Sequence, residues 1–126
     1  MPGTRRGGTV RYVAYRVLTP DGRKIDSVAT LPSHPSPNDV RQVVNHLLDG
    51  GAAEHVVVLQ KDRRTDMFVD EQSHLKHLRR NEAATALFRA AALRGNPHRD
   101  PETLPYIAGP AIVFDEPVWP KTKFST

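Results

Sequence analysis

The chain has 126 residues, no cysteine, and 18 basic against 14 acidic side chains, a formal net charge of +4. A chain of this length buries about two-thirds of its unfolded surface, so one domain needs neither disulfide nor metal to hold together. The lack of cysteine excludes thiolate metal centres and a cysteine nucleophile. No apolar run approaches the ~18 residues of a membrane span, and the opening MPGTRR lacks the apolar core of a signal peptide, so a cytoplasmic protein without membrane association is expected.

Residues 1–8 are polar, basic and rich in glycine, and are expected to stay flexible without a partner. Residues 9–18, TVRYVAYRVL, predict a strand by their Val and Tyr content. Thr19-Pro20-Asp21-Gly22 predicts a turn, because Pro presets φ and Asp-Gly tolerates the reversal; residues 23–31 then return as the second strand of a hairpin. After the loop Pro32-Ser33-His34-Pro35, a helix is predicted over 37–49. Ser36 is its N-cap, Pro37 suits the first helical position and Asp39 suits the positive end of the helix dipole. Val40, Val43, Val44, Leu47 and Leu48 form one apolar stripe, and Gly50-Gly51 supplies the stop.

The continuous apolar run HVVVLQ at 55–60 predicts a strand inside a sheet, followed by a charged turn at 61–64 and a pairing strand, TDMFVD, at 65–70. Residues 71–80 read as a loop with a helical turn near Leu75 and Leu78. Asn81 caps a second helix over 82–94, with Ala84, Leu87, Phe88 and Ala91 as its core stripe and Gly95 as its end. The three prolines of 96–105 predict a surface loop, and 106–114, YIAGPAIVF, predict a last strand broken at Gly109-Pro110. Val118 and Trp119 are expected to dock onto the body. The order β-β-α-β-β-α-β is an α+β class: one domain over 9–119, two helices on a mixed or antiparallel sheet, and a C-terminal tail at 120–126.

No catalytic constellation stands out. His74 and His77 could share a helical face, but no zinc motif surrounds them and no third ligand is fixed by spacing. Asp70-Glu71 and Asp115-Glu116 are adjacent pairs, which on an extended chain point to opposite sides and do not make an acid–base couple. Gly50-Gly51 follows a helix where a phosphate cradle must precede one. The expectation is a protein that is not an enzyme and carries no cofactor and no metal.

Basic charge is unevenly spread. Residues 1–24 hold six bases and one acid, residues 25–60 hold one base and four acids, and residues 81–126 balance. A nucleic-acid surface would use Arg5, Arg6, Arg11, Arg16, Arg79 and Arg80, with Arg63-Arg64 as a further pair. Tyr12 and Tyr15 lie beside two of these arginines but face opposite ways on a strand, so at most one could stack on a base while the other packs.

The stretch Val69 to Leu87, VDEQSHLKHLRRNEAATAL, resembles an uncharacterised family of small domains encoded by bacteriophages and prophages. The resemblance rests on Val69, Asp70, Glu71, Leu75, Leu78, Asn81, Ala84 and Thr85, and on a closing strand at Ile107 to Val113; it covers residues 56–114. Ser73, His77 and Arg79 stand where that family tends to have Gly and Pro, so a loop that is tight in the family is expected to be looser here. The resemblance implies an accessory protein working in a bacterial host cytoplasm, and carries no mechanism.

The sequence therefore points to non-enzymatic binding of a host or phage protein, through an exposed apolar patch of Phe114, Val118 and Trp119. Asp70, Glu71, Asn81 and Thr85 are its candidate polar contacts. Nucleic-acid binding is the alternative, and a small-molecule or nucleotide-signal binder acting against host defence is a further one. A second copy could pair along an open strand edge.

Overall fold

The computed structural model describes residues 9–60 and 63–120. The expected basic segment 1–8, with Arg5 and Arg6, and the tail beyond Pro120 lie outside the described residues. The turn after the first strand closes as its residues dictate: Gly22 N–H donates to Thr19 O at 3.0 Å, and Gly22 takes φ +91°, where a side chain would be strained. The hairpin consists of β1 (Val10–Leu18) and β2 (Lys24–Pro32). Helix α1 (Pro37–Leu47) starts with a reciprocal capping box, in which Asp39 N–H donates to Ser36 Oγ at 3.1 Å and Ser36 N–H to Asp39 Oδ2 at 2.8 Å.

The helix ends earlier than the expected residue 49. Leu48 is the cap, and Asp49 (φ +54°) and Gly50 (φ +81°) both turn left-handed. The strand that follows starts earlier than expected, because Asn45 Oδ1 on α1 accepts from Ala53 N–H at 2.9 Å. It is β3 (Ala53–Gln60), paired with β4 (Arg63–Asp70). Helix α2 (Glu82–Gly95), a short 3-10 turn (Pro101–Thr103) and β5 (Ala111–Phe114) complete the chain.

The final strand is shorter than the sequence suggests. Ala108 makes only an isolated bridge with Arg80, and Gly109 breaks the run at φ +82°. A Cβ there would stand 2.7 Å from Leu78 Cδ1, a side-chain end that can turn aside, so it is the backbone conformation that calls for glycine.

All five strands form one sheet in the order β2-β1-β5-β4-β3, and every neighbouring pair is antiparallel. The two hairpins flank β5, whose four residues are all buried. One face of the sheet carries Val13, Tyr15, Leu31, Phe68, Ile112 and Phe114 and packs under Val40, Val44 and Leu48 at α1. The opposite face carries Leu18, Val58, Met67, Val69, Ala111 and Val113 and packs under Ala84, Leu87 and Phe88 of α2.

Asn81 ties these parts together. It is fully buried and every polar atom of its side chain is used. Nδ2 donates to Leu18 O and to Gly109 O, both at 2.9 Å, while Oδ1 accepts from Ala84 N–H at 3.1 Å as the helix cap. Its backbone N–H donates to Ile107 O at 2.8 Å, and Thr85 Oγ1 returns to Asn81 O at 2.7 Å and accepts from Ile107 N–H at 2.9 Å.

The segment between β4 and α2 carries Ser73, His77 and Arg79. It is a run of bonded turns, with Ser73 N–H on Asp70 O at 3.0 Å, Lys76 N–H on Gln72 O at 3.0 Å and Leu78 N–H on Ser73 O at 3.0 Å. Closing it forces His77 to φ +55°, a region that L-residues other than Asn and Asp enter at a cost.

Two outcomes follow. Asn81→Ala strands two carbonyls and one N–H in the interior and is expected to cost about 3 kcal/mol, read as a lower urea midpoint at unchanged slope. His77→Gly relieves the left-handed residue and is expected to gain roughly 0.5–1 kcal/mol in the same measurement.

Candidate interaction surface

Along β4 the side chains alternate, so Asp66, Phe68 and Asp70 share the α1 face of the sheet. Both acids are 5% exposed, and each is spent on the protein's own chain. Asp70 Oδ2 accepts from Lys76 Nζ at 2.6 Å and Oδ1 from Gln72 N–H at 2.9 Å. Desolvation opposes its charge, but these bonds outweigh it and hold the carboxyl below its ordinary value. Gly51 lets the end of α1 reach it, since a Cβ there would lie 2.8 Å from Asp70 Oδ2.

Asp66 was not singled out in the sequence, although an acid in register with Phe68 is the signal that could have found it. Its Oδ1 lies 2.6 Å from His55 Nε2, and its Oδ2 accepts from the N–H groups of Val118 and Trp119 at 2.7 and 2.8 Å. Burial again works against the charge, and the bonds from His55, Trp119 and Val118 more than offset it, so this carboxyl too sits below the usual range. Trp119 stacks on His55 with ring centroids 4.8 Å apart, and the Arg41 guanidinium lies 5.2 Å from the Trp119 ring. Thr65, next on the strand and therefore on the other face, donates its hydroxyl to Phe114 O and supplies no nucleophile to His55. The His55–Asp66 pair is a clasp for the C-terminal segment.

The expected site residues are therefore not gathered on one surface. Asn81 and Thr85 are enclosed and saturated, and Asp70 is buried under Lys76; of that group only Glu71 is exposed. The expected patch is corrected as well. Phe114 and Val118 are core residues, and Trp119 is half-buried against His55, because Asp66 draws the segment inward.

Of the arginines expected on a nucleic-acid surface, Arg11 and Arg16 do not share a face. Arg11 and Arg16 point to opposite faces of β1; Arg11 lies 3.6 Å from Glu116, and Arg16 makes a two-point contact with Asp26 at 2.6 and 3.2 Å. Arg80 pairs with Glu82 at 3.2 Å and covers the Tyr106 ring, while Arg79 is exposed. Arg16 neutralised by Asp26 is not available to a phosphate without breaking that contact.

A different surface is left open. A five-stranded sheet is about 20 Å across and one helix about 10 Å, so α2 covers only part of its face. Among the described residues nothing covers the cross-strand pairs Val10–Pro32, Tyr12–Thr30 and Ala14–Val28 of β1 and β2. Tyr12 is 73% exposed, Val28 57% and Val10 49%, whereas Tyr15, pointing the other way, is buried. Between this half-face and α2 runs a hollow of about 260 Å³ lined by Arg16, Leu18, Lys24, Ala83, Ala86 and Leu87. A second hollow of about 370 Å³, which also has Arg16 in its lining, lies beside Asp26, Ala14 and Val28.

No family model, curated protein or solved structure matches this chain. Among the described residues, no helix is long and apolar enough to cross a membrane.

Because the Asp66 carboxyl is depressed in the folded state, its stabilisation is complete above the unfolded value of about 4 and is lost as pH falls through the folded value. Asp66→Asn keeps one acceptor but breaks the clasp, and is expected to cost about 2 kcal/mol at neutral pH and to flatten the stability profile below pH ~4. Trp119 is the single tryptophan, so its fluorescence is expected to move to longer wavelength in the variant, a check that needs no partner.

Proposed function

We propose that this chain is a non-enzymatic binding protein, of the accessory kind that the phage-family resemblance implies, and that it engages a partner protein through the open half of its sheet. One observation carries this reading: the outward pairs around Tyr12 and Val28 leave apolar side chains in water on a strand face whose other half is covered by α2. Apolar surface left contiguous in this way gains about 25 cal/mol for each Å² removed from water, which a partner can supply. The buried acids support the same reading by contrast. Asp66 and Asp70 spend their charge on the chain's own N–H and ammonium groups, and so are not free to act on a substrate. Nucleic-acid binding has less support, since Arg11, Arg16 and Arg80 each have a carboxylate beside them.

The test is a tagged pull-down from a bacterial lysate, treated with nuclease, comparing the native chain with Tyr12→Glu. A stoichiometric protein partner is expected on the native chain and absent from the variant, with both chains showing the same thermal unfolding. Capture that Tyr12→Glu leaves unchanged overturns this surface. Recovery of nucleic acid alone, lost at high salt, overturns the protein-binding reading in favour of the arginines.

A further inference from the structure

We infer that the open half of the sheet receives a single amphipathic α-helix of the partner, lying beside α2 with its apolar stripe on Tyr12, Ala14 and Val28 and a carboxylate toward Lys24. This rests on the protein-binding reading above and specifies its occupant. The dimensions select a helix. Two strands are about 10 Å across, the diameter of one helix, and nine residues of strand run about 30 Å, the length of about five helical turns. At its Leu18–Lys24 end the seat is walled by α2, and that wall is made largely of small side chains: Ala83 and Ala86 line the hollow there with Leu87. Alanines spaced in this way let two helix axes approach to about 8 Å, close enough for both to rest on one sheet.

The area argues against a second copy. A face of about 30 by 10 Å offers roughly 300 Å², well under the ~800 Å² that each partner of a stable dimer buries. A lone helix needs no more than this strip and the flank of α2.

Charge sets the polarity of the occupant. Lys24 and Arg16 line the hollow nearest α2, and Arg16 is committed to Asp26. Lys24, opposite Leu18 on the same face, forms no ion pair among the described residues, so a carboxylate on the helix flank meets an available ammonium.

The experiment is selection of a random peptide display library, with members of about 16 residues, on the full chain, followed by titration of the enriched peptides by fluorescence polarisation. Enriched sequences are expected to repeat apolar residues with a period of about 3.6 and to carry acids on one flank. Ala86→Glu, at an exposed helix position, is expected to weaken them about tenfold without changing thermal unfolding, and Lys24→Glu about threefold. Ala90→Glu, one turn further along, serves as a second wall variant. Enrichment of peptides with period-two alternation, insensitive to Ala86→Glu, would overturn the helix in favour of a strand added to β2, while leaving a protein partner in place. A dimer seen by light scattering and abolished by Ala86→Glu would overturn it in favour of a second copy. An empty selection also overturns it, and the Tyr12→Glu pull-down then decides whether the wider reading falls too.

Discussion

The amide of Asn81 is the joint on which the fold depends. Three stretches that are distant along the chain meet at one side chain: the end of β1 at Leu18, the entry to β5 at Gly109, and the first turn of α2 at Ala84. Asparagine is the residue that serves, because it offers two donors and an acceptor without charge in a site closed to water. Alanine would have none of these, and aspartate would turn a carboxylate toward two carbonyl oxygens. The joint also explains how a strand of only four residues can lie in the middle of the sheet. β5 is held from β1 and β4 by its own ladder and is oriented at its start by Asn81 and Thr85.

Asp66 plays the corresponding part on the other face. A charge in the centre of a strand is costly unless its lone pairs are occupied, and here they are taken by two backbone N–H groups and an imidazole. The result is that residues 118–119 fold back over the sheet and cover the α1 face beside the helix. α1 and this segment cover the middle of that face, while Ile25 and Val57 toward its two edges remain 44% and 38% exposed. On the other side α2 does the covering, and among the described residues the β1–β2 half stays open. The two faces thus differ in what packs on them: α1 and the segment held by Asp66 on one, α2 on the other, where Tyr12 and Val28 stay exposed.

Ion pairing shapes the surface in the same economical way. Arg11, Arg16 and Arg80 are beside acids, and bases and acids balance over the described residues; the excess positive charge of the sequence belongs to Arg5, Arg6, Lys121 and Lys123, which lie outside them. Lys24 lies at the apolar hollow beside α2 and forms no ion pair among the described residues.

Much of the fold was legible because its signals are local. Ser36, Pro37 and Asp39 start α1 by sterics and hydrogen bonds spanning a few residues, Gly22 turns the hairpin, and the α+β class follows from the order of those elements. The alternation of β1 likewise showed that one of Tyr12 and Tyr15 must face away from the core. The site was far less legible. Asn81, Thr85 and Asp70 read as surface polar groups, yet their partners lie at Leu18, Ile107 and Lys76, and composition cannot show that water is excluded there. Asp66 finds Val118 across 52 residues, a contact that no spacing rule anticipates. By itself the sequence determined where the two helices start and where the first hairpin turns, because those choices are made between near neighbours. The order β2-β1-β5-β4-β3, the burial of the acids and the open half-face were decided only in the tertiary structure, where two short helices must share two faces of a sheet wider than either can cover.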